Sequence, residues 1–239
     1  MRLITVPGVF RPRSDSLMLA ELVGRRARPR SSALDPFTGS GILAVAAARA
    51  GAQTTAVDIS RRAVLCAAVN ARLNGVRVRA LRGDLFGPVS GKRFDLIVAN
   101  PPYVPGVEPA EARGAARAWE GGRDGRALID RLCAEAPAHL TRFGELLLVH
   151  SSICGEEETV ERLEAGGLAV EVLQRQRGPL GPLLALRAAE LEQRGLLVPG
   201  RREEEMLVFS ARPRGMSASW QPASPRIETV PISFAGNSS

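Results

Sequence analysis

Four polar side chains stand where apolar runs stop: Asp35 after Ala33-Leu34, Asp58 after Thr54-Thr55-Ala56-Val57, Asp84 after the run Val76 to Leu81, and Asn100 after Phe94-Asp95-Leu96-Ile97-Val98-Ala99. Carboxylates in such positions accept hydrogen bonds from hydroxyls and neutralise cations. Asn100 differs, because Pro101-Pro102-Tyr103 follows it. Proline locks its own φ and drives the preceding residue out of the helical region, so Asn100 is held extended, and its carbonyl and that of Pro101 can face a cleft. Tyr103, the only tyrosine of the chain, can lay a flat ring beside whatever Asn100 holds. A planar NH2 group matches both features. Taken by itself, the same stretch is equally the composition of a proline turn after a strand.

The elements that position these groups follow from the spacing. Ser32 to Asp35 reads as a strand, Pro36-Phe37-Thr38-Gly39-Ser40-Gly41 as a glycine turn, and Ile42 to Ala50 as an alanine-rich helix stopped at Gly51. Gly39 and Gly41 would let a ligand touch bare backbone. The second strand ends in Asp58, about twenty residues on, where a carboxylate can grip ribose hydroxyls. Ser60 caps a helix through Leu73, which Asn74-Gly75 ends in a left-handed cap. The third strand leads into Gly83-Asp84-Leu85-Phe86. In open α/β sheets ligands bind at the carboxyl ends of the strands, which places Asp35, Asp58, Asp84 and Asn100 on one edge. Ahead of this unit, Ser14 or Asp15 is expected to cap a helix with the apolar face Leu19, Leu22 and Val23.

The ligand chemistry narrows from here to a dinucleotide or S-adenosylmethionine. A dinucleotide site wants a third glycine where Ala44 stands, and the acidic Asp35 would repel pyrophosphate. The same carboxylate suits the ammonium and sulfonium charges of S-adenosylmethionine.

The chain has 239 residues, which suits one domain with appendages. It carries a net charge of +7, and phosphate neutralisation could use that charge. Lys92, however, is the only lysine among 32 basic residues, a bias of composition more than a binding patch. Cys66, Cys133 and Cys154 are scattered, and neither they nor His139 and His150 have metal-ligand or redox spacing, so no metal is expected. With no spanning apolar run and an N-terminus broken early by Pro7, the expected location is cytoplasmic, with no membrane partner.

The series Asp35-Pro36-Phe37-Thr38-Gly39-Ser40-Gly41, Asp58, Asp84-Leu85 and Asn100-Pro101-Pro102-Tyr103 resembles the motifs of class I S-adenosylmethionine-dependent methyltransferases that modify planar nitrogen. Phe10-Arg11-Pro12-Arg13-Ser14-Asp15-Ser16 and Ala118-Trp119-Glu120-Gly121-Gly122-Arg123-Asp124-Gly125 resemble the flanking segments of the HemK-like protein glutamine methyltransferases, in the short form that lacks an N-terminal helical domain. The resemblance covers residues 6 to 150 in detail. It implies a doubly wound, Rossmann-like α/β fold with a mostly parallel seven-stranded sheet and an antiparallel last strand. It also implies S-adenosylmethionine as cofactor, held by Asp35, Phe37, Thr38, Gly39, Ser40, Gly41, Asp58, Asp84, Leu85 and Asn100. Asn100, Pro101, Pro102 and Tyr103 would form the catalytic set, a release factor would be the protein substrate, and a small zinc-binding activator subunit is required by some short relatives. Phe37 departs from the family's usual glycine or cysteine and is similar to loops of nucleic-acid amino methyltransferases. An RNA or DNA base therefore stands as the alternative acceptor, and a non-catalytic S-adenosylmethionine-binding subunit as the second alternative.

Downstream, Asp124 is expected to cap a helix carrying Leu128, Ile129, Leu132, Cys133, Ala136 and Leu140, ended by Gly144. A strand at Glu145 to Val149, a helix near Glu156 to Leu163 and a strand near Leu168 to Leu173 follow. An insertion over 178–198 with one helix to Glu192 precedes a last strand at Met206 to Phe209. Residues 1–212 are read as the methyltransferase domain. The Ser- and Pro-rich stretch 213–239, without apolar periodicity, is read as a disordered tail.

Overall fold

A computed structural model describes residues 1–215 of the chain. Helix α1 (Ser14–Arg26) precedes strand β1 (Ser32–Asp35), helix α2 (Ile42–Arg49), strand β2 (Gln53–Asp58), helix α3 (Arg61–Leu73), strand β3 (Val78–Arg82) and strand β4 (Phe94–Ala99). Helix α4 (Ala127–His139), strand β5 (Leu140–Ser151), helix α5 (Glu156–Ala165) and strand β6 (Leu168–Pro179) come next. Two short helices, α6 (Pro182–Leu186) and α7 (Ala188–Gln193), lead to strand β7 (Glu203–Pro213). The strands form one sheet in the order β3-β2-β1-β4-β5-β7-β6. Strands β1 to β5 pair in parallel, and β7 lies antiparallel between β5 and β6. Strand order reverses between β1 and β4, where a crevice opens in doubly wound sheets.

Strand periodicity explains the two layers of helices. Along β4, Leu96 and Val98 pack with Leu19 and Val23 of α1 and Leu43 and Ala47 of α2. Ile97 and Ala99 point the other way, to Ile129, Leu132 and Ala136 of α4 and Leu163 of α5. Successive side chains of a strand face opposite sides, so a sheet buried on both faces needs an unbroken apolar run. The run from Leu96 to Ala99 supplies it, and Leu146 to Val149 of β5 does the same.

Several local expectations change. The third strand begins at Val78, two residues late, and runs to Arg82. Gly144 does not end a helix: α4 stops two residues beyond Pro137, whose missing N–H weakens its last turn, and Gly144 lies inside β5. Strands β6 and β7 reach far past their apolar cores because they pair with each other, from Leu168 opposite Pro213 to Pro179 opposite Glu203. The insertion therefore starts after Pro179 and holds two helices instead of one. Leu180, Leu184, Ala188, Leu191 and Leu197 bury against Val104, so the insertion packs on the loop after β4. Of the tail expected at 213–239, Pro213 closes β7, and everything from residue 216 lies outside the described residues. Among the described residues no helix is long and apolar enough to cross a membrane. The three cysteines are buried and unpaired.

Candidate functional site

The carboxyl ends of β1, β2 and β4 and the turn after β3 open onto one cleft of about 1350 Å³. Phe37, Thr38, Gly39, Ser40, Asp58, Asp84, Leu85 and the whole of Asn100 to Tyr103 line it. Asp35 and Gly41 lie just behind this wall: Asp35 is fully buried, and Gly41 begins α2.

Asp35 ends β1 with one oxygen paired and one bare. Thr38 Oγ1 donates to Oδ2 at 2.8 Å, while Oδ1 is buried without a hydrogen-bond partner. Burial pushes the carboxyl up to about 7; the Thr38 hydroxyl works against the rise, the Asp58 charge adds to it, and the backbone N–H groups of Phe37 and Ala44 oppose it more weakly. Such a group gains by meeting a cation. Gly39 and Gly41 both adopt left-handed backbone, φ 50° and 83°. The reasons differ. A Cβ on Gly39 would meet nothing, so its backbone is open to a ligand, whereas one on Gly41 would lie 2.7 Å from Ala67 Cα. Gly41 thus serves the close packing of α2 on α3, not ligand access.

Asp58 ties the turn to β2. Its Oδ2 accepts from Gly39 N at 2.9 Å and its Oδ1 from Ser60 N at 2.9 Å. Burial raises its pKa despite these two donors. Ser60 caps α3 as expected, accepting from Ala63 N at 3.4 Å. Asp84 is more exposed and pairs with Arg131 at 2.9 Å, a contact across to α4 that its sequence context did not foretell. Leu85 next to it is buried with φ 49°, a left-handed leucine that costs about 1–3 kcal/mol and sits where functional strain is usually found.

Neither Ser14 nor Asp15 caps α1, whose N-cap is Arg13 without a side-chain cap. Asp15 turns inward instead and is buried. Its Oδ2 accepts from Asn100 Nδ2 at 3.0 Å and from the Tyr103 hydroxyl at 2.9 Å, and Ser16 Oγ accepts from Asn100 Nδ2 at 3.1 Å. These two residues belong to the site and were missed. Their signals were a polar pair directly after Arg11-Pro12-Arg13-Ser14, which a cap would also explain, and the likeness of Phe10 to Ser16 to a flanking segment of the family, which assigned neither residue a role. Burial, then the Asp15 and Glu204 charges, hold the Tyr103 hydroxyl well above its usual range, so it stays protonated as a donor.

The segment after Tyr103 folds back over it. Val104 N donates to Trp119 O, and Gly121 N to Val104 O, both at 2.9 Å. A Cβ on Gly121 would stand 2.8 Å from Pro102 O and from Tyr103 Cα, so glycine alone allows this approach. Buried Glu120 accepts from Arg187 of the insertion at 3.0 Å, and Arg187 also donates to Pro105 O at 2.7 Å. At the far end Asp124 is not the cap of α4 but accepts from Arg126 N at 2.9 Å. The buried Arg126 guanidinium donates to Gly155 O, Thr159 and Asp130. The insertion is therefore a brace for the loop beside Asn100.

This cleft fits S-adenosylmethionine on its own observations: an open glycine backbone and two strand-end carboxylates, Asp58 and Asp84, in its wall, with the buried Asp35 carboxylate directly behind it. The comparisons agree. Residues 1–116 match the family model described as methyltransferase small domain. A putative protein N5-glutamine methyltransferase of Methanocaldococcus jannaschii is 37% identical over 188 residues, covering 77% of this chain and 93% of that one. A release factor glutamine methyltransferase of Geobacter sulfurreducens is 37% identical over 165 residues, covering 66% of this chain but only 57% of its own. Among solved structures, the E. cuniculi Mtq2–Trm112 complex, responsible for methylation of the eRF1 translation termination factor, matches with a TM-score of 0.58 at 21% identity. The match covers 86% of this chain and 99% of that one, and at this identity it supports the fold alone. With the doubly wound sheet and the cleft at its strand ends, the chain belongs to the HemK-like protein N5-glutamine methyltransferases, a family of S-adenosylmethionine-dependent N-methyltransferases.

Proposed function

We propose that this protein methylates the side-chain amide nitrogen of a glutamine in a translation release factor, and that Asn100 and Pro101 orient that amide. The observation that carries the reading is the free end of Asn100. Both of its N–H bonds are directed at Asp15 and Ser16, which leaves its carbonyl oxygen for a ligand in the cleft that Asn100 lines.

An amide nitrogen is a poor nucleophile because its lone pair is delocalised into the carbonyl. The residues around it must therefore position it and support the charge it develops. Asn100 Oδ1 and the Pro101 carbonyl accept its two N–H bonds, and Pro102 and Tyr103 pack on its two sides. S-adenosylmethionine supplies a sulfonium-bound methyl group, an electrophile whose bonding pair returns to sulfur. The nitrogen gains the methyl group and releases one proton to solvent. Asp35, behind the cleft wall, would offset the ammonium charge, Thr38 to Ser40 would offer backbone, and Asp58 would take the ribose hydroxyls. Phe37, Asp84 and Leu85 wall the remainder.

The names of the relatives from Methanocaldococcus and Geobacter support a glutamine acceptor, and the latter supports a release factor. Incubation with methyl-labelled S-adenosylmethionine tests the reading, with a release factor or bulk RNA as acceptor. Label in the release factor upholds it, and label in RNA replaces it with base methylation, which Arg13, Arg61 and Arg117 at the cleft wall would favour. The same assay decides the activator subunit, because turnover by this chain alone removes the need for one.

A further inference from the structure

We infer that Asp15 is a positioning residue of the acceptor site, setting which end of the Asn100 amide faces the cleft. The inference rests on the glutamine-acceptor reading. The carboxylate of Asp15 can only accept. Its Oδ2 takes Asn100 Nδ2 and the Tyr103 hydroxyl, and its Oδ1 takes Ser16 N at 2.6 Å and the Ser16 hydroxyl at 3.3 Å. The Ser16 hydroxyl spends its hydrogen on Asp15, so its lone pair is free to accept the second hydrogen of Asn100 at 3.1 Å. The chain of donors and acceptors closes in one sense only. Turning the Asn100 amide over would set its carbonyl oxygen against a buried carboxylate and leave its NH2 in the cleft, a donor facing the two donors of a glutamine amide. Asp15 thus makes the site complementary to an NH2 group.

The same clasp spans 85 positions, joining the first turn of α1 to the end of β4. Phe10, Pro12 and Arg13 line the cleft just ahead of that turn, so the segment that walls the acceptor leads directly into the group that aims Asn100. Asp15 and Ser16 are buried and their bonds to Asn100 and Tyr103 part-buried, and a lowered dielectric strengthens each bond and makes an unpaired member costly. Tyr103 is bound into it by its hydroxyl and not by its ring alone, which links the flanking ring to the same carboxylate.

Asp15→Asn is the diagnostic variant, because it keeps the size and gives one acceptor and one donor in place of two acceptors. With a release factor as acceptor we expect kcat to fall roughly tenfold or more, the scale of lost orientation. The Kd of S-adenosylmethionine should stay within about twofold, because no cofactor contact is assigned to Asp15, and Asp15→Glu should recover part of kcat by restoring a two-oxygen acceptor. A folded Asp15→Asn protein with unchanged kcat overturns the inference. So does a loss of cofactor affinity equal to the loss of kcat, which would assign Asp15 to the cofactor. If Asp15→Asn fails to fold, Ser16→Ala removes two bonds of the clasp, the one to Asp15 Oδ1 and the one from Asn100 Nδ2, and should still lower kcat several-fold; no effect there counts against the inference. A measurement on the wild-type protein needs no acceptor. The side-chain NH2 protons of Asn100, identified by their absence in Asn100→Ala, should exchange with solvent far more slowly than those of an exposed asparagine. Fast exchange overturns the clasp. If wild type transfers no methyl to a release factor, the proposed function fails, and the exchange measurement still decides the role of Asp15.

Discussion

Replacing Asp35 by asparagine should stabilise the ligand-free protein at high pH and abolish cofactor binding, with a pH dependence fixed by burial. Asp35 is fully enclosed, and its carboxyl is raised from 3.8 to about 7. For an acid whose folded pKa lies above its unfolded one, the unfolded chain releases its proton first. Stability is then complete below the unfolded pKa, falls as pH rises, and levels off above the folded pKa. A shift of about three units corresponds to about 4 kcal/mol in all. Of that, about 3 kcal/mol is lost between pH 5 and pH 8, as the slope of one proton requires. Asparagine is nearly isosteric, can still accept from Thr38, and does not titrate. Its amide adds a pH-independent term for the bare Oδ1 position, so the informative quantity is a difference. Urea unfolding of both proteins at several pH values should show the advantage of Asp35→Asn growing by about 3 kcal/mol from pH 5 to pH 8 and then flattening. A constant difference across that range would refute the buried, bare carboxylate. S-adenosylmethionine affinity of the wild type should also fall as pH drops below about 7, because protonation removes the charge offered to its ammonium.

Two other substitutions separate cofactor grip from acceptor alignment. Asp58→Ala should weaken S-adenosylmethionine binding by about 1.5–3 kcal/mol, the scale of a charged hydrogen bond, and calorimetry showing unchanged affinity would remove Asp58 from the site. Asn100→Ala should lower single-turnover methyl transfer by roughly 10²–10³ while cofactor affinity stays nearly intact, the loss typical of one preorganised partner. An unchanged rate in the folded variant would sink the acceptor role of Asn100.

The strand ends were legible because their signals are local. Glycines at 39 and 41, a carboxylate about twenty residues later and a double proline after an apolar run each act within a few residues. The half of the sheet from edge strand β3 to β4 therefore matches its expected boundaries to within two residues. Long-range pairing was not legible. Strands β6 and β7 extend each other through Arg175, Arg177 and Glu203 to Glu205, polar residues with no strand pattern of their own. Asp15 was misplaced for the same reason: a polar residue at a helix start is a cap by local rules, and only the fold brings it to Asn100. Its contact with the Tyr103 hydroxyl also means that Tyr103→Phe breaks a part-buried bond as well as keeping the ring.

Mass analysis of release factor isolated from cells with and without this protein tests the central claim most directly. The account predicts one additional methyl group in the first case, placed by fragmentation on the side-chain nitrogen of a single glutamine. Release factor of identical mass in both, or a methyl group on any residue other than glutamine, would contradict it.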